Sequence, residues 1–426
     1  ETGADDALAV ALTVTAIPFW EHLSLVEECR ARAEHALHER FAPYRSERDT
    51  MKLYTALGTT LLHTRGPVPD VKSAWTCSLQ VAERNQDVEY QLRSLWGLCD
   101  YHTWIGDHRT AHTFVSRIRE LARQSGDMAA STNVERQAGT TLRYLGELTE
   151  ARRKLENMIA RYLPPVVRSD TARFQLDPRS AARGTLANVL WLQGFPDRAV
   201  ATAQQQLAEA HAAKHALALC NALIHCACPV ALWVGDLERA EQLLALIDVH
   251  VASHSMAIWR GMSACLRAEW LLGRGDARGL PMLRSALDQL FETGFRLRAP
   301  AHLGVLASGL AAHGDSDAAR TSIDSALDMA ADSGEAWCMP ELLRVRGDVL
   351  RAAGRALQAE ELYWRALELA RSQEAQSWGL RAAISLTELR RDEQAGRTLE
   401  ELYAGFEEGF ETRDLRRARS LLAELR

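Results

Sequence analysis

Residues 347–370 read GDVLRAAGRALQAEELYWRALELA, and this stretch decides the fold. Gly354 breaks it into two patterned segments. After the break, Leu362, Ala366 and Leu369 recur at steps of four and three residues, which sets them on one face of a helix. Gly347 lies seven residues before the break and Ala359 five after it. The same marks recur along the chain. Turn glycines stand at Gly66, Gly106, Gly146, Gly194, Gly235, Gly275, Gly314 and Gly354, at spacings of 40, 40, 48, 41, 40, 39 and 40 residues. Seven residues before them stand Thr59, Cys99, Gly139, Ala187, Cys228, Ala268, Ala307 and Gly347, every one small. Five residues after them stand Ala111, Ala151, Ala199, Ala240, Ala319 and Ala359, with Val71 and Leu280 as exceptions.

Both columns have a physical cause. Two antiparallel helices approach closely only where small side chains face each other. Glycine ends a helix in a left-handed cap, and an acidic residue after it suits the start of the next helix. Each unit is therefore a hairpin, helix A before the glycine and helix B after it. One hairpin cannot bury its apolar face alone, so the units must stack. No segment alternates like a half-buried strand, so the expected class is all-α.

The columns resemble the tetratricopeptide repeat, with a period of about 40 residues against about 34 in that repeat. The resemblance implies an α-solenoid, a right-handed superhelix of about nine to ten hairpins, widened by the longer helices. The expected layout is one superhelix over 1–426. It comprises an N-terminal hairpin (1–45, turning near Glu21 to Ser24), early repeats (46–162), an inserted loop (163–178), later repeats (179–410) and a cap helix (411–426). Leu163-Pro164-Pro165 through Asp177-Pro178 explains the 48-residue step, because its prolines suit an exposed loop. The last repeat degenerates around Arg391 to Gly396.

Composition narrows the function. The chain has 426 residues, 47% hydrophobic and 25% charged, with a formal charge of −6. No basic excess points to nucleic acid or an anionic membrane. The longest apolar stretch, Ala222 to Val234, is too short to span a bilayer. No signal peptide is expected. The chain opens inside an apolar pattern (Ala7, Leu8, Val10, Ala11), and the expectation is that further sequence precedes it in a longer protein. Eight cysteines lie in apolar segments without a CxxC pair, which suits reduced thiols in a cytoplasmic protein. The four lysines, Lys52, Lys72, Lys154 and Lys214, follow no glycine, so a phosphate-binding GxxxxGK[ST] loop is excluded. No HExxH, GxSxG or metal-binding carboxylate cluster appears, so neither enzymatic activity nor a cofactor is expected.

Several stretches carry a second resemblance. Thr59-Thr60-Leu61-Leu62 with Arg65-Gly66, Leu95-Trp96-Gly97-Leu98, Trp337-Cys338-Met339-Pro340-Glu341-Leu342-Leu343-Arg344, Ser377-Trp378-Gly379-Leu380-Arg381-Ala382-Ala383 and Gly405-Phe406 to Leu415 are similar to the C-terminal repeat region of large bacterial signalling ATPases of the STAND type. That group joins a central P-loop ATPase to a winged-helix DNA-binding domain or an adenylate or guanylate cyclase. The resemblance covers this chain and none of those domains. It implies a sensor that receives a signal and releases the ATPase to oligomerise. The alternative is a stand-alone scaffold for protein assembly.

Helix A lines the concave face of tetratricopeptide arrays, through positions 13, 10, 6, 3 and 2 before the turn glycine. These positions give Arg93, Trp96, Asp100, Thr103 and Trp104 in one unit and Asn133, Arg136, Thr140, Arg143 and Tyr144 in the next. The ten are expected to form one patch for a ligand, peptide or partner protein, since Trp, Tyr and Arg dominate binding energy. A packing role for Trp96 and Trp104 stays open beside recognition. Glu341, Arg344, Asp348 and Arg351 form a later charged set that helical spacing lets pair internally. Cys220, His225, Cys226 and Cys228 invite a metal, but residues two apart on a helix point to different faces, so packing is the expected role. Pro229 is expected to kink its helix and open the superhelix locally.

Overall fold

The structure is a computed structural model that describes residues 2–162, 177–213, 215–252 and 257–425. Helix follows helix, with no strand among the described residues. α1 (Thr2–His22) pairs with α2 (Val26–Leu37), reversing at Ser24, where φ is +56°. The hairpins that follow are α3 (Glu47–Arg65) with α4 (Pro69–Arg84), α5 (Val88–Trp104) with α6 (His108–Ser125), and α7 (Met128–Tyr144) with α8 (Leu148–Arg161). Next come α9 (Pro178–Leu192) with α10 (Pro196–Ala212), α11 (Ala216–Val234) with α12 (Leu237–Ala252), and α13 (Ala257–Gly273) with α14 (Gly279–Glu292). The array ends with α15 (Ala299–Ala312) and α16 (Ser316–Ser333), α17 (Met339–Ala352) and α18 (Ala356–Ser372), α19 (Gln376–Arg390) and α20 (Glu393–Ala404), then α21 (Arg413–Glu424) as the cap. This is an α-solenoid of tetratricopeptide-like hairpins. The loop expected over 163–178 lies outside the described residues except for Asp177 and Pro178. Asp177 accepts a hydrogen bond from the Tyr162 hydroxyl at 2.8 Å and caps α9 through the Ser180 N–H at 2.7 Å.

The repeat columns do what their chemistry suggests. The eight repeat glycines all take positive φ, from +76° to +87°. Asp107, Asp236 and Asp315 then cap the following helix through the N–H groups of Thr110, Arg239 and Ala318, at 3.0, 2.9 and 3.1 Å. In the last hairpin Arg391 holds the left-handed position instead, at φ +49°. The small-residue column marks close approach. A Cβ on Gly139 would stand 2.5 Å from Leu155, and one on Gly347 2.5 Å from Tyr363.

α11 corrects the sequence reading of its apolar stretch. The helix starts at Ala216, and its 19 residues make it long and apolar enough to cross a membrane by length and composition. Yet 83% of its apolar window is buried inside the protein, against α9, α10, α12 and α13. Pro229 lacks the N–H that would bond the carbonyl of His225. The Asn188 side-chain amide donates to that carbonyl instead, at 2.9 Å, and a π-helical turn over Leu223–Ala227 absorbs the mismatch.

The longer helices do not leave a wide open channel. The solenoid completes a turn and its second turn docks on its first. Helix ends leave carbonyls without intrahelical donors, and here the second turn supplies them. The amides of Arg296 and Leu297 donate to Trp104 O, at 2.8 and 3.1 Å, and those of Ala336 and Trp337 to Tyr144 O, at 2.7 and 3.2 Å. Ser377 Oγ donates to Trp191 O, 186 residues earlier, and Arg381 donates to Trp233 O at 3.2 Å. Trp104, Tyr144, Trp191 and Trp233 stand at or next to the last residue of α5, α7, α9 and α11.

Candidate functional site

Docking fills the solenoid axis with aromatic rings and guanidinium groups. Trp191 lies 4.9 Å from Trp233 and 4.7 Å from Trp378, and Trp337 lies 5.7 Å from Trp233. Arg143 stands 4.4 Å over Tyr144 and 4.7 Å over Trp337, and Arg298 stands 5.3 Å over Trp233. Beneath them Glu335, fully buried, accepts from Trp337 Nε1 at 2.7 Å and from the Arg298 amide at 3.3 Å. Its Oε2 also lies 3.4 Å from His108 Nε2, and the His108 ring stacks on Tyr144 at 4.5 Å. Burial alone would raise the Glu335 carboxyl. The His108 and Trp337 hydrogen bonds and the charge of Arg143 overcome it and hold the group below its usual range.

Against this seam lies a cavity of about 140 Å³. Seven of the ten sequence-predicted residues line it: Asp100, Thr103, Trp104, Arg136, Thr140, Arg143 and Tyr144. His63, His225, Trp259 and Leu297 join the wall from other A helices and from the second turn. Arg93, Trp96 and Asn133 are not brought to it. Arg93 pairs with Glu89 at 2.7 Å, stands 5.2 Å over Tyr90 and faces Glu21 of the N-terminal hairpin. Trp96 is buried, and Asn133 accepts from Arg136 Nε at 3.0 Å. The expected open concave face is thus largely covered, because the second turn sits on it: Tyr144 is 4% exposed and Arg143 3%. Trp104 serves both readings. It lines the cavity and stacks edge-on with His63, Trp259 and Phe295.

The electrostatics of the cavity are those of a desolvated site. Burial raises the Asp100 carboxyl against the pull of Arg136 and of the Gln137 amide, which donates at 2.8 Å. Burial also lowers Arg136 and Arg143, though a guanidinium stays charged at neutral pH. Among the described residues, Nε and Nη2 of Arg143 have no hydrogen-bond acceptor. Burial, then the charges of Arg298 and Arg143, push His225 down to about 3. A histidine held neutral in the fold but free to protonate when unfolded destabilises the fold as pH drops below about 6.5. Between pH 7 and 5.5 this term is about 1 kcal/mol. His225→Gln should therefore show a smaller fall in melting temperature over that interval than the wild type. Equal falls in the two proteins would contradict the assignment.

A wider groove of about 660 Å³ opens on the other side, among the later repeats. The later charged set lines it, and the set pairs internally. Arg344 binds Glu341 at 2.6 Å and also Asp348, while Arg351 reaches Glu388 at 3.4 Å. Arg381 adds Asp414 at 2.6 Å, and the Tyr363 hydroxyl donates to Asp348 at 2.6 Å. Cys220, Cys226 and Cys228 are fully buried, Cys228 in its small-residue column, and burial pushes the Cys226 thiol up to about 12 against the charge of Arg143.

Glu335, Arg298 and His108 were missed in the sequence reading, and Trp337 and Trp378 entered it only through a resemblance. A signal was present. Aromatic residues recur in or just after the B-to-A connectors at Phe295, Trp337 and Trp378, at nearly the repeat period, where exposed turns would carry polar residues.

No family model matches the chain. An uncharacterized protein of Rhizobium meliloti (strain 1021) is 26% identical over 393 residues, which cover 89% of this chain. The chain spans 38% of that relative's length. Among solved structures, a Rap protein complexed with competence and sporulation factor matches 99% of this chain and 100% of its own, at TM-score 0.44 and 11% identity. A signal transduction ATPase with numerous domains, with a tetratricopeptide repeat sensor, from Pyrococcus horikoshii matches 83% of this chain and 49% of its own, at TM-score 0.41 and 11% identity.

Proposed function

We propose that this chain is the non-catalytic sensor and protein-interaction module of a bacterial ATP-dependent signalling or transcriptional regulator, one superhelix that takes its ligand at the seam between its two turns. The observation that supports the reading is the cavity, where Asp100, Arg136 and Arg143 of the first turn meet Trp259 and Leu297 beyond α11. An occupant touches both turns, so its binding energy shifts the balance between docked and loosened seams. Eight free cysteines favour a reducing, cytoplasmic setting. The scaffold reading draws on the 660 Å³ groove, whose paired charges offer a polar surface to a peptide.

The test is a thermal-shift screen of the whole chain against metabolites and peptides. A ligand that binds only the folded state raises the midpoint with its occupancy. The sensor reading expects a saturable rise that Arg136→Ala abolishes. A screen without such a rise contradicts sensing and leaves the scaffold. The regulator reading further requires a P-loop ATPase in the same full-length protein, and a complete gene without one contradicts it.

A further inference from the structure

We infer that the seam cavity receives a small monoanion with a flat apolar body, an aromatic or heteroaromatic carboxylate whose acid group sits on Arg143. The inference rests on the sensor reading and names its ligand class.

Charge comes first. Arg136 faces Asp100, while Arg143 feels the charges of Arg298 and Glu335. Of the charged side chains that line the cavity, two are guanidinium groups, Arg136 and Arg143, and one is a carboxylate, Asp100, and His225 stays neutral beside them. Glu335 does not discharge Arg143 by contact. Its oxygens are engaged by Trp337 Nε1, His108 Nε2 and the Arg298 amide.

Geometry comes second. Arg143 is 3% exposed, its guanidinium faces the Tyr144 hydroxyl, and its Nε and Nη2 meet no acceptor in hydrogen-bond geometry among the described residues. Those two nitrogens form one edge of the guanidinium fork, the edge that takes a carboxylate in two parallel hydrogen bonds. A buried charged donor left unmet destabilises the fold, and an acceptor brought to it by a ligand removes that cost.

Shape and the far end come third. Tyr144, Trp104 and Trp259 give the cavity aromatic walls, with Leu62 and Leu217 beside them. An apolar cavity of about 150 Å³ accepts benzene, and this one, at about 140 Å³, is of the size that takes a single flat ring. Asn188 Oδ1 and Gln206 Oε1 also line it, buried and without a donor among the described residues. They suit a ring N–H or hydroxyl opposite the acid.

The test uses the whole chain with benzoate, 4-hydroxybenzoate and indole-3-carboxylate, each beside its neutral amide, and with inorganic phosphate. Thermal shift and intrinsic tryptophan fluorescence are read together, since Trp104 and Trp259 line the site. The expected result is saturable binding of at least one acid, at least tenfold tighter than its amide, and at least tenfold weakened in Arg143→Met. The acid-to-amide comparison in the wild type stands whether or not the variant folds. Equal binding of acid and amide overturns the anion, and a response to phosphate alone overturns the flat body. Silence towards all of them overturns the ligand class. The metabolite screen then separates the two failures, because a different hit lost in Arg136→Ala keeps the sensor reading and an empty screen removes both.

Discussion

Trp337→Ala lowers the stability of the folded chain by about 3–5 kcal/mol, the range for truncating a buried tryptophan. Trp337 is 1% exposed, touches the rings of Trp233 and Trp378, and lies under Arg143 and Arg298. Its Nε1 also holds Glu335 in place at 2.7 Å. The loss is more than a cavity, because every partner but Glu335 comes from another hairpin. Solenoid stability is a sum of repeat and neighbour terms, and the seam adds a term between hairpins far apart in sequence. Once weakened, that term no longer forces the two turns to melt together. Thermal unfolding should move to lower temperature and split into two transitions. Trp364→Ala is the control, since Trp364 is only partly buried, in α18. It should lower the midpoint without splitting the transition. A single, merely shifted transition for Trp337→Ala contradicts a seam that couples the turns.

Glu335→Ala has an effect of similar size, about 3–5 kcal/mol, the range for removing one partner of a buried charged network. It leaves His108 and Trp337 Nε1 without their acceptor and Arg143 and Arg298 without the carboxylate between them. Glu335→Gln keeps one acceptor and should cost less. The pH dependence has a defined sign. Glu335 is held below the usual glutamate range, so its contribution is complete above that range and lost as pH falls through its lower folded value. Wild type and Glu335→Gln should therefore converge in melting temperature as the solution is acidified. Chemical denaturation at neutral pH checks the magnitude. Because Glu335 and Trp337 touch, their double replacement should cost less than the two single losses added together.

The local rules of this fold are written in single residues. The positive φ at the turn glycines, the Asp caps after three of them and the contact of Gly139 with Leu155 follow from residue type and spacing, so a period of about 40 residues was enough to place the hairpins. The seam was not legible in that way. A bond such as Ser377 to Trp191 spans 186 residues and depends on superhelical pitch, which accumulates from small rotations that no single repeat reveals. The site shows both sides of this. Positions 6, 3 and 2 before the glycine do reach the axis, and they delivered Asp100, Thr103, Trp104, Thr140, Arg143 and Tyr144 to one cavity. Arg93 and Trp96 obey the same spacing but sit nearer the start of α5, where Glu89, Tyr90 and the N-terminal hairpin engage Arg93. Cys226 and Cys228 carried metal-like chemistry by composition only, and buried thiols in a packed helix are small hydrophobes.

The most direct measurement is amide hydrogen exchange at Arg296, Leu297, Ala336 and Trp337, all in connectors between helices. A solenoid whose turns do not touch leaves such amides to solvent. Docked turns bond them to Trp104 O and Tyr144 O at 2.7 to 3.2 Å. Protection at these four amides should equal that of the A helices and be lost together in Trp337→Ala. Exchange at the rate of an open loop in the wild type would contradict the docked seam, and with it the cavity on which the sensor reading stands.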